Sequence, residues 1–388
     1  MPDSESKHLI WPSIGSGELE GPVCDINLAA LRHNGELAKF LSLPGRLLCT
    51  VKANGYGHGV EPVCRALEPV ANGWSVARIS EGEALRQLQA TKPIIVMGPN
   101  WGDSEASYRR QLERCVASDL TPVIHNDQFL EALLQACADA EIAPWIKVDT
   151  GMHRLGINPS TLLAVTDRLD PATVIMTHFA AADDAVSTTP GEQQQLLEAV
   201  LQDTSGTLSV SATNSAALLT GVLPAGDQHW SRPGIMLYGS NPLGAATDNQ
   251  HAQEIAVTSR FSAPVIAVRT VPRGESVGYN NTWVADRDSR IATVAAGYAD
   301  GYPRHAPSGT AVALNGERAP LAGRVSMDMI SIDTTDCTKD VNIGDVAELW
   351  GPNITPDYVA SQASTIAYQL FTQIGERVEK RYLENPAN

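Results

Sequence analysis

Residues 51–59 read Val51-Lys52-Ala53-Asn54-Gly55-Tyr56-Gly57-His58-Gly59 and follow the apolar run 47–50. The run predicts a buried strand, and Lys52 stands where that strand ends. A lysine at the carboxyl end of a barrel strand can lose its proton when it is desolvated, and its free amine can then attack a carbonyl group. The glycines allow the backbone to turn sharply and to approach a ligand closely. The stretch therefore predicts an active-site loop at the mouth of an α/β barrel.

Outward from this loop, the first two thirds of the chain alternate short apolar strands with helices. The strands are predicted at residues 47–51, 74–77, 93–97, 121–124, 144–149, 174–178 and 208–211 and around residues 235–237. Strands that alternate with helices form parallel βαβ units, and about eight such units indicate a closed barrel rather than an open sheet. We therefore predict a TIM-like α/β barrel of about eight parallel strands, with its reactive groups at the carboxyl ends of those strands.

Two helices in this region have clear start signals. Asn27 precedes an apolar stripe over residues 28–40 and is predicted to cap that helix. Ser80, followed three residues later by Glu83, predicts a capping box for a helix over residues 81–89. These signals predict a helix on each side of the strand that ends at Lys52.

The pattern changes beyond about residue 256, where short strands follow one another without long helices. Strands are predicted at residues 255–257, 264–268, 291–294 and 346–350, and Asn315-Gly316 predicts a hairpin turn between 310–314 and 318–321. A late helix that begins at Thr355-Pro356 is predicted to carry Tyr368. The sequence thus predicts a lead-in at residues 1–22, the barrel at residues 23–250 and a mainly β domain at residues 251–388.

Composition excludes several classes of partner. The 388 residues carry a formal net charge of −16, which argues against nucleic acid and anionic membranes as partners. No apolar run approaches the length of a membrane span, and the N-terminus lacks the regions of a signal peptide. The six cysteines have no metal-type spacing. We therefore expect a cytoplasmic protein with reduced thiols and no metal site.

The 51–59 motif resembles the lysine motif of the alanine racemases, which are pyridoxal-phosphate enzymes of the barrel type. The resemblance covers roughly residues 23–382; the departures are a longer N-terminus and small-residue changes such as Gly55 and Ser326. It implies pyridoxal 5'-phosphate as cofactor, covalently held by Lys52. It also implies a racemase that interconverts L- and D-alanine and supplies D-alanine for peptidoglycan.

The resemblance also implies how the cofactor is held. Arg232 corresponds to the arginine that the family places against the pyridine nitrogen, where it favours simple proton exchange because it does not give up its proton. Tyr56 and Tyr368 resemble the two phosphate-contacting tyrosines, and His178 resembles the histidine beside the ring. Barrels commonly hold phosphate at the loops after their last two strands. The residues predicted there are Asn214, Ser215, Gly234 and Ile235.

Residues 146–156 carry the next motif, Ile146-Lys147-Val148-Asp149-Thr150-Gly151-Met152-His153-Arg154-Leu155-Gly156. Arg154 resembles the arginine that helps to bind the substrate carboxylate, a task that suits a forked donor. Lys147 is unusual, because a cation inside a barrel strand is costly unless it is paired or neutralised. In many relatives the matching lysine is carbamylated, and the same modification is our hypothesis for Lys147.

The second base is expected from the β domain. Tyr298, in the motif 296–303, resembles the tyrosine that the family places on the face of the substrate opposite the lysine. Lys52 then serves D-alanine and Tyr298 serves L-alanine, so that the proton leaves one face and arrives on the other. In the family this tyrosine comes from the partner subunit, which implies a homodimer with shared active sites. Met327 is expected to contact the substrate carboxylate, and Asp328 to line the entrance.

Three other functions are open on the sequence alone. The nearest alternative is a broad-specificity racemase acting on serine or lysine, because a difference of one methylene in the substrate changes binding by only about 1–3 kcal/mol. A pyridoxal-phosphate decarboxylase would place a carboxylate against the pyridine nitrogen, so Arg232 argues against it. A non-catalytic carrier of the cofactor would need neither the β domain nor Tyr298.

Overall fold

The computed structural model describes residues 11–202, 208–223, 226–244 and 247–384. Its strands are Val23–Asn27 (β1), Arg46–Thr50 (β2), Gly73–Val76 (β3), Ile94–Val96 (β4), Thr121–Ile124 (β5), Trp145–Lys147 (β6), Val174–Met176 (β7), Ser209–Ser211 (β8), Trp230–Ser231 (β9), Ser259–Val271 (β10), Ser276–Val277 (β11), Trp283–Val284 (β12), Ser289–Val294 (β13), Ala311–Leu314 (β14), Glu317–Pro320 (β15), Ile330–Asp333 (β16), Val346–Trp350 (β17) and Glu379–Leu383 (β18). Its right-handed helices are Leu28–Ser42 (α1), Val60–Leu67 (α2), Ile79–Gln87 (α3), Glu105–Ala117 (α4), Leu130–Asp139 (α5), Pro159–Leu163 (α6), Thr189–Gln202 (α7), Ser215–Thr220 (α8), Gln250–Gln253 (α9), Pro356–Gln362 (α10) and Ala367–Thr372 (α11). Within these ranges no helix is long and apolar enough to cross a membrane.

The predicted barrel is confirmed. Within the described residues, eight parallel strands pair in the order β9-β2-β3-β4-β5-β6-β7-β8. A parallel bridge between Val210 and His229 joins β8 to β9 and completes the ring. Helices follow most of the strands, and the strand residues are almost all buried. The carboxyl ends of the strands therefore meet at one mouth, as in other barrels of this type.

The last barrel strand lies earlier than predicted. It is Trp230–Ser231, whereas the apolar run predicted as a strand forms the 3₁₀ helix Ile235–Tyr238. Burial cannot distinguish a short apolar strand from a short apolar helix. Here Ser215 Oγ accepts the backbone N–H groups of Gly234 and Met236, at 2.9 and 3.3 Å, which turns the chain away from the sheet.

The first strand of the predicted barrel range, residues 23–250, pairs with the C-terminal sheet. Val23–Asn27 pairs antiparallel with β10 and parallel with β18. Residues 11–22 lie against the same domain: Pro12 O accepts from Arg260 Nη1 at 2.7 Å, and the Arg260 guanidinium stacks on Trp11. Residues 1–10 lie outside the described residues. The division of the chain at residues 22 and 250 stays a prediction.

The capping prediction for α1 is confirmed and that for α3 is wrong. Asn27 Oδ1 accepts from the N–H of Ala30 at 3.0 Å. Helix α3 begins one residue before Ser80, and the carboxylate that accepts the N–H of its N-cap, Arg78, belongs to Glu81. Glu83, the predicted partner, instead binds Arg114 on the neighbouring helix α4.

The C-terminal domain is mainly β, as predicted. Its sheet has the order β15-β14-β17-β10-β1-β18, with β13 paired to β10 and β16 paired to β13. The hairpin at Asn315-Gly316 is confirmed, since both residues have positive φ, 52° and 84°. Residues 255–257 form no strand, because Asn34 side-chain atoms satisfy both the N–H and the carbonyl of Ala256. The late helix is two helices, α10 and α11, separated at Ser364, which has a φ of 54°.

Candidate active site

Lys52 is followed by a left-handed turn at the barrel mouth. Ala53, Asn54, Gly55 and Tyr56 have φ values of 52°, 55°, 60° and 50°. Each non-glycine residue in this conformation costs about 1–2 kcal/mol, so the turn needs support from its surroundings. Backbone strain of this kind is often found where a structure fixes a reactive group, and here it lies directly after the lysine.

The C-terminal domain of the same chain packs against this turn. Helix α11 contacts it, and a side chain at Gly57 would overlap the carbonyl oxygen of Phe371. A side chain at Gly59 would overlap the hydroxyl of Tyr382 on β18. Both glycines also have φ values of 80° or more, which disfavour other residues. The glycines of the motif are therefore explained by close packing of two domains as well as by the turn.

Lys52 lies in a partly buried and strongly positive environment. Burial lowers the pKa of its ammonium group, and the positive charge of Arg154 lowers it further. The carboxylate of Glu81 opposes the shift, and Arg232 adds to it. A lowered pKa increases the fraction of neutral amine, which is the nucleophilic and basic form.

Arg232 is buried between two strand ends. Its guanidinium donates to Ser211 Oγ at 2.6 Å and to the carbonyl of Thr177 at 2.7 Å, and Nη2 lies 3.4 Å from His178 Nδ1. Burial lowers the pKa of the guanidinium, but arginine keeps its charge in proteins. No carboxylate forms a salt bridge with Arg232 in the part of the chain that the structure describes. The structure therefore brings Arg232 and His178 into contact.

His178 is held neutral by burial and by the nearby cations. Burial lowers its pKa to about 3, with further contributions from Arg232 and Lys147. A neutral Nδ1 can accept a hydrogen bond from the Arg232 guanidinium. His178 is thus suited to orient Arg232 rather than to transfer protons near neutral pH.

Lys147 ends the buried strand β6. Its side chain is only 6% exposed, and it forms no salt bridge with any acid in the described ranges. Burial lowers its pKa to about 8, helped by the charges of Arg232 and Arg154, while Asp149 acts in the opposite direction. Asp149 itself is engaged with His153, at 3.0 Å. Lys147 therefore lacks the pairing that a buried cation normally needs.

The residues predicted to bind phosphate form a cradle between the last two strands. Asn214 caps α8, since Asn214 Oδ1 accepts from Ala217 N at 2.9 Å. Ser215 Oγ faces the N–H of Gly234 at 2.9 Å. A side chain at Gly234 would overlap the hydroxyl of Tyr56. Hydroxyl and peptide N–H groups beside a short helix N-terminus are suited to an anion.

Tyr56 is fixed in this cradle by other aromatic rings. It stacks on Tyr238 with 4.5 Å between ring centroids, and Tyr368 lies 5.8 Å away. Tyr238 in turn donates its hydroxyl to the carbonyl of Thr50 at 2.9 Å. Sequence reasoning missed Tyr238, because nothing in residues 235–239 indicates that a ring there supports Tyr56.

A cavity of about 290 Å³ opens beside the cradle. It is lined by His178, Asn214 and Tyr368 together with two acids, Asp183 and Asp357, that the sequence analysis did not identify. Burial and the two acids raise the pKa of Tyr368 to about 12, which keeps its phenol protonated. The structure therefore brings together most of the predicted cofactor residues on one side of the barrel mouth.

Tyr298, Met327 and Asp328 lie together on an exposed loop pair of the C-terminal domain. The N–H of Tyr298 donates to Ser326 O, and that of Ala299 to Met327 O, each at 3.0 Å. Asp328 pairs with Arg377 at 2.7 Å. The hydrogen bonds described for this loop pair stay within the C-terminal domain. Tyr298 and Met327 remain 41% and 52% exposed.

Comparisons with known proteins agree with this architecture. The family model described as the alanine racemase N-terminal domain matches residues 26–242, and that of the C-terminal domain matches residues 258–382. The biosynthetic alanine racemase of Pseudomonas aeruginosa is 40% identical over 372 residues, which cover 93% of this chain and 98% of the relative.

Solved structures give the same result. The crystal structure of biosynthetic alanine racemase from Pseudomonas aeruginosa has a TM-score of 0.85 at 39% identity and covers 94% of this chain and 100% of that one. Alanine racemase from Bartonella henselae, solved with covalently bound pyridoxal phosphate, has a TM-score of 0.81 at 27% identity, with coverage of 94% and 100%. Matching domains, length and fold lead to one conclusion: the chain belongs to the alanine racemase family.

Proposed function

We propose that this protein interconverts L- and D-alanine with pyridoxal 5'-phosphate as its cofactor. The observation that carries the proposal is Lys52, a partly buried lysine with a lowered pKa at the mouth of a barrel, among Arg154, Arg232 and Lys147. The test is deuterium uptake at Cα of both alanine enantiomers in deuterated buffer. Incorporation with inversion supports racemisation, and carbon dioxide release would support a decarboxylase instead.

The residues present fit the proposed cofactor. The cradle of Ser215, Gly234 and Tyr56 offers hydroxyl and peptide groups to a phosphate, and there is room only because Gly234 has no side chain. Arg232 can face a ring nitrogen without giving it a proton, and Lys52 can hold the aldehyde carbon covalently. When bound, the cofactor would acidify the C–H bond of the substrate by withdrawing electrons from Cα.

The chain's own residues then bind the substrate and move the proton. Arg154 is suited to the substrate carboxylate, because its guanidinium presents a fork of donors. Lys52 takes or returns the proton on the face used by D-alanine, and Tyr298 does so on the face used by L-alanine. Two groups on opposite faces allow inversion without rotation of the bound substrate.

The exposed position of Tyr298 supports a homodimer with shared sites. Tyr298, Met327 and Met329 are large and apolar or aromatic, yet 41–52% exposed on one loop pair. Such a patch commonly marks an interaction surface. In the proposed dimer this patch faces the barrel mouth of the other copy, Met327 contacts the substrate carboxylate there, and Asp328 lines the entrance.

Lys147 is proposed to carry a carbamate. Its pKa of about 8 leaves a useful fraction of neutral amine near neutral pH. That amine can form an N–C bond to carbon dioxide and release one N–H proton to solvent, which leaves a carbamate anion. The resulting anion would be paired by Arg154 and Arg232, which removes the cost of an unpaired buried cation. We expect native mass spectrometry to show one carbon dioxide per chain, lost after acid treatment, and absent from Lys147→Ala. Electron density showing a bare ammonium would contradict this.

Gly234→Ala is expected to weaken cofactor binding by about 5- to 150-fold. The added methyl group would displace the Tyr56 hydroxyl from the cradle, and a buried clash of this size costs about 1–3 kcal/mol. The measurement is a titration of cofactor-free protein with pyridoxal phosphate. Gly191→Ala is the matched control, because no atom lies within 4 Å of a side chain added there. Unchanged affinity in Gly234→Ala would show that the phosphate lies elsewhere.

Substrate breadth and cellular role complete the proposal. We expect alanine to be the preferred substrate, and rates with L-alanine, L-serine and L-lysine separate this from the broad-specificity alternative. A cytoplasmic role in supplying D-alanine for peptidoglycan is consistent with the six free cysteines.

A further inference from the structure

The carboxylate of Glu81 contacts the turn that follows Lys52, although the proposed chemistry gives it no role. Oε1 accepts from the N–H of Ala53 at 2.7 Å. Oε2 accepts from the N–H groups of Ala77 and Arg78, at 2.8 and 3.0 Å. Because Ala53 follows Lys52 directly, Glu81 ties the lysine loop to the start of helix α3.

The Glu81 carboxylate gives the strained turn a hydrogen-bond partner for the N–H of Ala53. Inside the turn, Gly55 N donates to Val51 O and Gly57 N donates to Ala53 O, both at 2.9 Å. The N–H of Ala53 bonds instead to Glu81, at the point where the left-handed backbone begins. Hydrogen bonds to a carboxylate are stronger than those between neutral groups, so this one is suited to hold the turn in place.

Glu81 also acts on Lys52 through charge. The charged groups that face Lys52 come from four elements: Glu81 on α3, Lys147 on β6, Arg154 in the loop after β6, and Arg232 after β9. Three of these are cationic. Glu81 is the one acid among the groups that act on Lys52 in the described residues, and it favours the protonated amine.

We propose that Glu81 is a positioning residue for Lys52, fixing the peptide that follows the lysine and thereby the place of its Nζ atom at the barrel mouth. This inference rests on the proposed function, in which Lys52 exchanges the α-proton of D-alanine. Glu81 acts through the backbone and through its charge and takes no proton itself.

The test compares Glu81→Gln with Glu83→Gln. Glutamine has one oxygen and can keep only one side of the bridge, either Ala53 or the α3 backbone. Glu83 lies two residues later on α3 but points to Arg114, so its replacement removes the same charge without touching the loop. We expect kcat of Glu81→Gln to fall by about 10²-fold, as for a misplaced catalytic group. Glu83→Gln should stay within about twofold of wild type.

Isotope effects locate the defect. The two enantiomers have equal free energy, so kcat/KM falls equally in both directions and cannot show which base is affected. With Glu81→Gln, the isotope effect for D-alanine deuterated at Cα should rise, because proton removal by Lys52 becomes slower. The isotope effect for deuterated L-alanine should fall, because the step at Tyr298 then limits the rate less. A general loosening of the site would not produce opposite changes.

A second readout needs no activity. In full-length protein freed of cofactor, trace labelling with acetic anhydride over a range of pH, read by peptide mass spectrometry, follows the neutral fraction of Lys52. Removal of the negative charge of Glu81 destabilises the ammonium form, so the labelling midpoint should move to lower pH in Glu81→Gln. It should not move in Glu83→Gln.

The outcomes separate this proposal from the function on which it rests. Wild-type protein that does not exchange the α-proton of alanine defeats the proposed function. Wild-type protein that racemises alanine, with Glu81→Gln equal to Glu83→Gln in rate and isotope effects, overturns the role of Glu81 alone. If Glu81→Gln does not fold, Glu81→Asp replaces it. Aspartate keeps the charge but withdraws the carboxylate, so the opposite isotope changes should persist and the labelling shift should be absent.

Discussion

Replacement of Lys52 by alanine is expected to abolish racemisation, with kcat/KM falling by at least about 10⁴-fold. The variant loses the amine that is proposed to hold the cofactor covalently and the base for D-alanine. The described residues offer no substitute amine on the same side of the barrel, because Lys147 ends β6, four strands away from β2, and is acted on by the charges of Arg232 and Arg154. Racemisation is measured by polarimetry in both directions.

The cofactor gives an independent readout of the same variant. We expect wild-type protein to keep visible cofactor absorbance through gel filtration and to yield a cofactor-modified Lys52 peptide after borohydride reduction, and Lys52→Ala to do neither. Lys339→Ala is the control, since Lys339 is an exposed lysine of the C-terminal domain whose ammonium group donates to the carbonyl of Asn315. Continued exchange of the α-proton of D-alanine by Lys52→Ala would remove Lys52 from the mechanism.

Tyr298→Phe is expected to lower kcat/KM by about 10³–10⁴-fold, which corresponds to about 4–5.5 kcal/mol of transition-state stabilisation. Only the phenol hydroxyl is removed, and the ring still packs. In deuterated buffer the variant should exchange the α-proton of D-alanine through Lys52 and leave that of L-alanine unexchanged. Tyr279→Phe, another exposed tyrosine of the C-terminal domain, should behave like wild type.

Mixing the two inactive variants tests whether sites are shared between copies. A heterodimer of Lys52→Ala and Tyr298→Phe chains has one intact site if the lysine and the tyrosine come from different subunits. Random reassociation of equal amounts should then restore roughly a quarter of the wild-type sites. If both residues came from one chain, the mixture would stay inactive, and the proposed dimer arrangement would fail.

Local sequence patterns, which depend on residues near each other in the chain, were sufficient to predict the architecture. The apolar runs before Lys52 and through residues 145–147 identified barrel strands, and Asn27 identified the start of α1, because burial and capping act over a few residues. The motif 51–59 also indicated the lysine loop. The apolar runs predict the strands reliably because the strands of a closed barrel are almost completely buried.

Predictions failed where a distant residue decided the outcome. The run at residues 235–237 became a 3₁₀ helix because Ser215 Oγ accepts hydrogen bonds from the N–H groups of Gly234 and Met236. Helix α3 begins earlier than predicted because Glu81, rather than Glu83, accepts the N–H of the N-cap residue Arg78. The same carboxylate also accepts the N–H of Ala53. In each case an apolar or capping pattern was compatible with two structures, and a contact across the fold selected one.

The sequence by itself determined which chemical groups are present and in what order they follow the barrel strands, because these are properties of the chain. Only the tertiary structure decided that Lys52, Lys147 and Arg232 share one site at the barrel mouth with a lowered pKa for each, and that Tyr298 stands on a separate exposed face. The reason is physical: a pKa depends on burial and on the distance to other charges, and both are set when strands far apart in the chain meet at one mouth.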